Sequence, residues 1–481
     1  LYISSIRQGV QELNLTSGNL RNLLMVDETG EMVYCRDLLV NSDNELWIGA
    51  ESGAYIYNLR TDKYVHLYSS KNDPYSLSDN AIYSLCEDRE NGIWVGSYFG
   101  GVDYYPKSYT YFEKYYPKDG ENTLRGKRVR EFCQDNKGTL WIGTEDGGLN
   151  RFDPETKTFS FFMPSAGFTN IHGLCMVGDK LWVGTFSKGL KIVDTNTGNI
   201  LKTYQKTDSP HSLVDNSIFA ICRTATGDIY LGTMFGLLKY NEQTDDFDRI
   251  AELAGKFVYD IKEDSGGNLW LATYANGAYC FNVNEKRWKN YVHNEDNKES
   301  LPYDKVLSIF EDSHRQIWLT TQGGGFCLFH PDTETFTSYN SSNGLPNDVV
   351  YQIVEDADGL LWLTTNSGLA CFNPVTKQVK VYTTANGLLD DQFNYRSSYR
   401  DEAGTIYLGS IDGFVVFNPK TFTENKNLPP VVITDFMLFN KEVRVGESSA
   451  PLEKSITFSD RITLQSDQNS FSFRIAALGY Q

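Results

Sequence analysis

Acidic side chains recur at one place in the sequence, immediately before a turn that contains glycine or asparagine. They stand in the stretches CEDREN, KEDSGG, FEDSHR and VEDADG. Carboxylates grouped in this way could act as general acid and base or could hold a metal ion. An aspartate before a tight turn more often caps that turn with its own side chain, and a residue that recurs in nearly every copy of a repeat belongs to its scaffold. We therefore interpret these acids, including Asp312, as structural.

The histidines do not form a metal-binding pattern. They lack the close pair and the acidic partner that zinc sites use. The six are His66, His172, His211, His293, His314 and His330. The nucleophile elbow G-x-S-x-G and the phosphate-binding G-x-x-x-x-G-K are also missing from the sequence. The sequence therefore predicts no catalytic residue, no metal site and no cofactor.

Other residues have the chemistry of a binding site. Aromatic and basic side chains stand in short loops whose sequence differs from copy to copy of the repeat, and exposed aromatics suit stacking on sugar rings. These candidates are Tyr98, Phe99, Phe186, Lys188, Phe235 and Tyr274. The alternative is that such aromatics pack locally against the neighbouring repeat.

A basic loop adds a second group of candidates. The segment GENTLRGKRVR contributes Arg125, Lys127, Arg128 and Arg130 to a chain with a formal net charge of -18. Such a cluster could hold a carboxylate or sulfate group of a ligand, or it could pair with nearby acids. The overall negative charge argues against non-specific binding to nucleic acid or to an anionic membrane surface, so we expect no nucleic-acid contact.

A repeated phrase indicates the elements that would position these residues. Its central aromatic recurs every 40 to 48 residues, 45 on average, which matches one four-stranded propeller blade per copy. The ten aromatics are Tyr2, Trp47, Trp94, Trp141, Trp182, Tyr230, Trp270, Trp318, Trp362 and Tyr407. Around Trp318 the predicted strands are KVLSIFED, QIWLTT, GFCLF and TFTSY.

The residue types suit the packing of blades against one another. A large aromatic can fill the wedge between two sheets, and the small residue two positions later, such as Gly143 or Gly184, leaves room for the neighbouring sheet. In propellers the loops between second and third strands, and those between blades, form one face that commonly holds ligands around the axis. The variable aromatic and basic loops fall on that face.

The eight cysteines occupy strand positions that hold apolar residues in other copies. Cys86, Cys133 and Cys222 stand eight residues before their aromatic and Cys175 stands seven before. Equivalent positions in different blades are too far apart for a disulfide, whose Cα atoms lie within about 7 Å. We expect free thiols that pack as small hydrophobic side chains.

The phrase QDNKGTLWIGTEDGGL resembles the two-component regulator propeller repeat of hybrid two-component systems of Bacteroidetes. The resemblance covers residues 1 to about 420. After it, LPPVVITDFMLFNKEV and ITLQSDQNSFSFRIAALGY resemble the start of the Ig-like Y_Y_Y β-sandwich that follows the propellers in that family. The family implies an all-β chain with seven-bladed propellers of four-stranded blades.

Seven aromatics counted back from Tyr407 reach Trp141, which leaves three copies for an earlier propeller. We predict the last blades of a first propeller over residues 1–107, a seven-bladed propeller over 108–425 and the start of the sandwich over 428–481. The segment YTYFEKYYP, residues 109–117, would close the seven-bladed ring as a strand of the last blade. The alternative is a single ten-bladed propeller.

The resemblance also implies a function. It predicts a periplasmic ligand-sensing ectodomain of an inner-membrane hybrid two-component protein. This ectodomain would recognise an oligosaccharide and signal glycan availability through a histidine kinase elsewhere in the full-length protein. It further implies a homodimer, and membrane anchoring only through segments outside this chain, which opens at LYISSIRQGV and reads as a fragment. The alternative is a propeller glycan hydrolase or lyase.

Overall fold

The computed structural model describes residues 1–5, 8–71, 73, 75–106, 112–118, 122–161, 170–422, 431–446 and 451–477. The described chain is all-β, with strands interrupted only by short turns of 3-10 helix. It divides into two compact units. Unit 1 consists of Leu1–Ser108 and Thr423–Gln481, and unit 2 is Tyr109–Phe422. The predicted domain boundaries near 107 and 425 to 428 lie outside the described residues.

Unit 2 contains seven four-stranded antiparallel sheets, which we number blade 1 to blade 7. In blades 1 to 6 the four strands follow one another in chain order. The strands of blades 1 to 3 are Val129–Gln134, Leu140–Thr144, Gly148–Asp153 and Thr158–Phe161; Ile171–Val177, Lys180–Thr185, Leu190–Asp194 and Ile200–Tyr204; Ile218–Arg223, Ile229–Thr233, Gly236–Asn241 and Asp246–Arg249. Those of blades 4 to 6 are Val258–Glu263, Leu269–Thr273, Ala278–Asn282 and Arg287–Tyr291; Val306–Glu311, Ile317–Thr321, Phe326–His330 and Thr335–Tyr339; Val350–Glu355, Leu361–Thr365, Gly368–Phe372 and Val379–Tyr382.

Blade 7 closes the ring. Its first three strands are Phe393–Arg400, Ile406–Ser410 and Phe414–Phe417, and its fourth is Glu113–Tyr115, which precedes blade 1 in the sequence. Each first strand neighbours the first strand of the next blade, and that of blade 7 neighbours that of blade 1. The predicted closing strand is therefore present, and the ring has seven blades rather than ten. The four strands predicted around Trp318 are confirmed.

The described part of unit 1 contains three sheets with the same repeat and a fourth sheet from the end of the chain. Their strands are Tyr2–Ser5, Gly9–Leu13 and Leu20–Leu24; Cys35–Val40, Glu45–Ala50, Gly53–Asn58 and Lys63–Leu67; Ile82–Glu87, Ile93–Ser97 and Val102–Tyr105; Val431–Leu438, Lys441–Glu442 and Phe471–Ala477. The 3-10 helices among the described residues are Ala251–Leu253, Ser341–Asn343, Thr384–Asn386, Pro419–Thr421 and Ile456–Phe458. Assignment of the last sheet to a Y_Y_Y domain stays a prediction.

The repeated acids are structural, as the sequence indicates. Asp312 Oδ1 accepts the backbone N–H groups of His314 and Gln316, both at 2.9 Å, which closes the turn between the first two strands. Its other oxygen accepts the indole N–H of the buried Trp318 at 2.8 Å. One carboxylate therefore fixes both the turn and the tryptophan that fills the space between blades.

The small residue after the aromatic also has the predicted role. A Cβ added at Gly143 would lie 2.6 Å from a side-chain carbon of Ile171, the residue that begins the next blade. The corresponding distance from Gly184 to Ile218 is 2.9 Å. Because real Cβ contacts are essentially never that short, a larger residue would push the neighbouring blade away.

The cysteines are free thiols in the described structure. Cys280 and Cys327 are buried, and burial raises the pKa of both thiols. Cys86 is exposed, so the prediction of an apolar core position is wrong for this residue. Its strand, Ile82–Glu87, belongs to the last of the three repeat sheets in unit 1, and the structure describes no further repeat sheet packed over it. Among the described residues, no helix is long and apolar enough to cross a membrane.

Candidate functional site

A β-bulge interrupts the innermost strand of each blade near its start. In blades 1 to 6 the pairing between the first and second strands skips one residue, and in blade 7 it is irregular from Phe393 to Ser398. A bulge bends the strand and redirects the side chain of the extra residue. We call the extra residues of blades 1 to 6 the bulge residues: Arg130, His172, Phe219, Tyr259, Leu307 and Tyr351.

The bulge residues lie near the end of the ring where the first strands begin, which we call the upper end. In a four-stranded meander the loops between second and third strands lie at this same end. Variable loops and bulge residues therefore face one region around the axis. This region is the candidate ligand site, and we call it the axial site.

Arg130 crosses the axis of the ring. It is only 2% exposed, and its guanidinium donates to the hydroxyl of Tyr259 at 2.9 Å and to a carboxylate oxygen of Glu145 at 3.2 Å. Tyr259 belongs to blade 4, which is not adjacent to blade 1, so this hydrogen bond spans the centre. The guanidinium carbon also lies 4.9 Å from the ring centroid of Tyr395 in blade 7.

A second layer of charge lies one residue further along the strands. The guanidinium of Arg396 in blade 7 forms ion pairs with Glu131 of blade 1, at 3.0 Å, and with Asp260 of blade 4. All three side chains are buried. Burial raises the pKa of Glu131 to about 7, although Arg396 opposes that shift. This layer connects blades 1, 4 and 7 beneath Arg130, with two carboxylates paired to a single guanidinium.

Aromatic rings form a continuous cluster beside Arg130. The ring centroids of Phe219 and Phe257 are 4.4 Å apart, those of Phe257 and Tyr274 are 5.3 Å apart, and those of Tyr259 and Tyr395 are 5.6 Å apart. Phe219 and Tyr259 are buried, whereas Phe257, Tyr274 and Tyr395 are only half-buried. The cluster therefore offers apolar ring surface at the mouth of the axial site.

His172 extends this cluster towards blade 2. Its ring lies 4.8 Å from Phe219 and 5.6 Å from Phe186. Burial, reinforced by the positive charges of Arg130 and Arg396, lowers the pKa of His172 to about 2. The imidazole is therefore neutral at physiological pH, with one nitrogen that can donate and one that can accept.

Several buried polar atoms around the axial site have no hydrogen-bond partner among the described residues. They are Arg130 Nε, Asn170 Oδ1, His172 Nδ1 and Gln322 Oε1. Buried polar groups in native proteins are nearly always hydrogen-bonded to protein, water or ligand. The set mixes donors with acceptors, which is what a ligand carrying hydroxyl groups requires.

Three of the residues predicted from the sequence meet at the axial site. Arg130 lies at its centre, and Phe186 and Tyr274 lie at its edge. The amine of Lys305, which the sequence did not single out, lies 4.7 Å above the ring of Tyr274.

The other predicted residues lie elsewhere. The guanidinium carbon of Arg125 lies 3.5 Å above the ring of Phe161 on the outermost strand of blade 1, and Lys127 pairs with Asp412 at 2.7 Å. The basic loop is therefore not one cluster. The remaining predicted residues are exposed side chains outside the aromatic cluster, with the last two in unit 1: Arg128, Lys188, Phe235, Tyr98 and Phe99.

Sequence reasoning missed most of the bulge residues, although they carry a signal. In blades 1 to 6 the bulge residue stands eleven positions before the repeat aromatic, except in blade 2, where it stands ten before. Its identity changes from blade to blade, whereas the residue preceding it in blades 1 to 6 is always valine or isoleucine. A variable position within a repeated strand is the pattern that would have identified these residues.

A cavity of about 610 Å³ lies at the opposite, lower end of the first strands in blades 1, 5, 6 and 7. Four of its polar side chains bond to one another in pairs: Tyr399 donates to Gln134 at 2.8 Å, and Ser398 donates to Gln352 at 2.6 Å. Because these four side chains already have hydrogen-bond partners within the protein, the cavity is a weaker candidate for a ligand site than the axial site.

Comparison with known proteins agrees with this architecture. Residues 76–99, 123–146, 252–275 and 344–367 match the two-component regulator propeller family. An extracellular domain from B. thetaiotaomicron, assigned to the hybrid two-component system BT3049, shares the fold with a TM-score of 0.70 and 23% identity over 99% of this chain and 67% of that one. A second, from BT4673, gives a TM-score of 0.55 and 19% identity over 98% of this chain and 63% of that one.

The similarity extends to a curated histidine kinase. Histidine kinase P4 of Formosa agariphila is 29% identical over 320 residues, which is 64% of this chain but only 23% of the kinase. The chain is thus a β-propeller protein with the fold of sensor ectodomains. More specifically, it carries the repeats of two-component regulator propellers in both of its units.

Proposed function

We propose that this chain is the ligand-sensing part of a hybrid two-component histidine kinase and transcription regulator, located in the periplasm. The regulator propeller repeats and the similarity to a histidine kinase support this proposal. In this proposal the protein is a homodimer, and its kinase and membrane anchor belong to segments outside this chain. In this proposal the region described here binds a signal molecule and performs no catalysis.

We further propose that the ligand is an oligosaccharide bound at the axial site. The observation that carries this proposal is the combination of half-buried aromatic rings with unpartnered donors and acceptors. A sugar ring presents an apolar face that can stack on Tyr274 or Phe257, and hydroxyls that both donate and accept. Arg130 is already paired with Glu145, so the site does not require an anionic sugar.

Calorimetry of the intact protein with a panel of neutral and acidic oligosaccharides tests this function. Tyr274→Ala should weaken binding of the best ligand by about 1 to 3 kcal/mol, because it removes stacking area. Val375→Ala, at an exposed side chain of blade 6, should leave binding unchanged. An affinity that falls as salt rises would show that the ligand is anionic.

Two results would contradict the proposal. Unchanged affinity in Tyr274→Ala and Phe257→Ala would place the ligand away from the axial site. Shortened or unsaturated products after incubation with the ligand would favour the alternative, a propeller glycan hydrolase or lyase.

A further inference from the structure

The bulge position combines a fixed geometry with a free choice of residue. In blades 1 to 6 a β-branched aliphatic residue precedes the bulge and packs in the core, as Val129 and Val258 do with 0% exposure. The bulge residue itself is in turn an arginine, a histidine, a phenylalanine, a tyrosine, a leucine and a tyrosine. The scaffold thus dictates the flanking residue and leaves the bulge residue open to another role.

The bulge residues contact one another across blades. Arg130 bonds to Tyr259 across the axis, and His172 packs on Phe219 of the next blade. Phe219, Tyr259, Leu307 and Tyr351 belong to one buried cluster, to which Phe257, Tyr274 and Tyr395 add their half-buried rings. The bulges therefore gather one side chain from each of blades 1 to 6 into a common floor, and Arg130 Nε and His172 Nδ1 have no partner there among the described residues.

We propose that the bulge residues are the specificity-determining residues of the axial site, with one residue contributed by each of blades 1 to 6, and that the loop aromatics only line its entrance. This proposal rests on the ligand-sensing function proposed above. Arg130 and His172 supply hydrogen-bonding nitrogens, and the apolar members set the shape of the floor. Leu307 is smaller than Tyr259 and Tyr351 on either side, so a tyrosine there would reduce the room for a ligand.

The test compares substitutions in the floor with one at the entrance. The intact protein and its variants are applied to an array of neutral and uronate-containing oligosaccharides. The floor variants are His172→Gln, Leu307→Tyr and Tyr351→Phe. The entrance variant is Phe186→Ala, and melting temperatures verify folding. We expect at least one floor variant to change the relative affinity for two sugars about tenfold, because it alters shape or hydrogen bonding. Phe186→Ala should weaken all bound sugars by a similar factor.

The outcomes separate this inference from the function on which it rests. If wild type binds sugars and every folded floor variant keeps the same order of preference, the inference is wrong while the sensing function stands. The same holds if Phe186→Ala alone alters the order. If wild type binds no member of the array, the oligosaccharide function fails and the inference fails with it. Tyr351→Phe removes a single oxygen, which keeps the test valid even if Leu307→Tyr does not fold.

Discussion

An arginine occupies the corresponding bulge position in each unit, Arg36 in unit 1 and Arg130 in unit 2, but the two side chains lie in different environments. Arg36 of unit 1 follows the first residue of its strand as Arg130 does in unit 2, and it donates to Glu51, the counterpart of Glu145. Its guanidinium lies 5.0 Å from the ring of Tyr83, the bulge residue of the next sheet. The side chain of Arg36 is nonetheless 48% exposed, whereas that of Arg130 is 2% exposed.

The difference shows which part of the site is local and which part depends on the ring. The bulge, the arginine and its glutamate come from a single blade and occur in both units. The hydroxyl of Tyr259 and the ring of Tyr395 come from blades 4 and 7, and only closure brings them to Arg130. A repeat can therefore specify the position of a side chain. The closed ring determines how deeply that side chain is buried, and hence how strongly its charge interacts with its partners.

The largest effect is expected from the charged layer of the closed ring. Arg396→Ala should lower the free energy of unfolding of unit 2 by about 3 to 5 kcal/mol, because it leaves Glu131 and Asp260 buried without their cation. Arg36→Ala should lower that of unit 1 by at most about 1 kcal/mol, because its ion pair is exposed. Hydrogen exchange during urea unfolding can follow each unit separately. Equal losses in both variants would remove the distinction between the units.

A second substitution compares the turn acids of the two units. Asp312→Asn should cost about 1 to 3 kcal/mol, because the amide nitrogen cannot accept the indole N–H of the buried Trp318. Unit 1 already contains this arrangement: Asn41 occupies the equivalent place, and the indole nitrogen of Trp47 is buried without a partner among the described residues. Asn41→Asp should therefore stabilise unit 1 by about 1 kcal/mol. Thermal unfolding of both variants checks the pair, and a destabilising Asn41→Asp would contradict the argument.

The pH dependence of stability tests the burial of Glu131. Because its pKa of about 7 in the folded protein exceeds that of a glutamate in an unfolded chain, the folded protein holds a proton that the unfolded chain releases. Between about pH 4.5 and 7 this group therefore makes unfolding easier as the pH rises, by at most about 1.4 kcal/mol per pH unit. The slope should disappear in Glu131→Gln. Urea titrations of both proteins at pH 5, 6 and 7 measure it, and parallel pH profiles would show that Glu131 is ionised throughout.

The smallest effect concerns thiols and does not change stability. In the native protein Cys86 of unit 1 should react first with a thiol reagent, whereas the buried Cys327 of blade 5 should react only after unfolding. All eight cysteines should react in the denatured protein without reductant. Mass spectrometry of the labelled peptides identifies each site. An intramolecular disulfide would contradict the expectation of free thiols.

The scaffold could be predicted from the sequence because each structural assignment, such as a buried aromatic or a turn acid, can be compared across all copies of the repeat. The aromatic, the small residue and the turn acid recur at the same positions, so a chance resemblance in one copy is recognised by comparison with the other copies. Asp312 and Gly143 have the predicted roles for this reason. The count of blades followed from the same repetition.

The axial site could not be predicted to the same extent. Arg130 and Tyr259 are 129 residues apart, and their contact depends on the curvature of the whole ring rather than on any local pattern. The basic loop was misleading for a related reason. Arg125 and Arg130 are close in the sequence, but the start of a strand separates them. The side chain of Arg125 therefore lies against the outer strand, whereas that of Arg130 reaches the axis. Variation among the loops drew attention to Phe235, although the more informative variation lay within the strands.

The closing strand of blade 7 also has a consequence for how the protein folds. Glu113–Tyr115 pairs with Phe414–Val416, so the ring can close only after nearly the whole of unit 2 has been synthesised. The six preceding blades are built from hairpins of neighbouring strands and can form as the chain emerges. Until the last pairing occurs, the third strand of blade 7, Phe414–Phe417, remains an unpaired edge, which is a site for pairing with other chains. Ring closure is thus expected to be the slow, concentration-sensitive step in refolding, and Arg396 joins blades 7, 1 and 4 only when that step is complete.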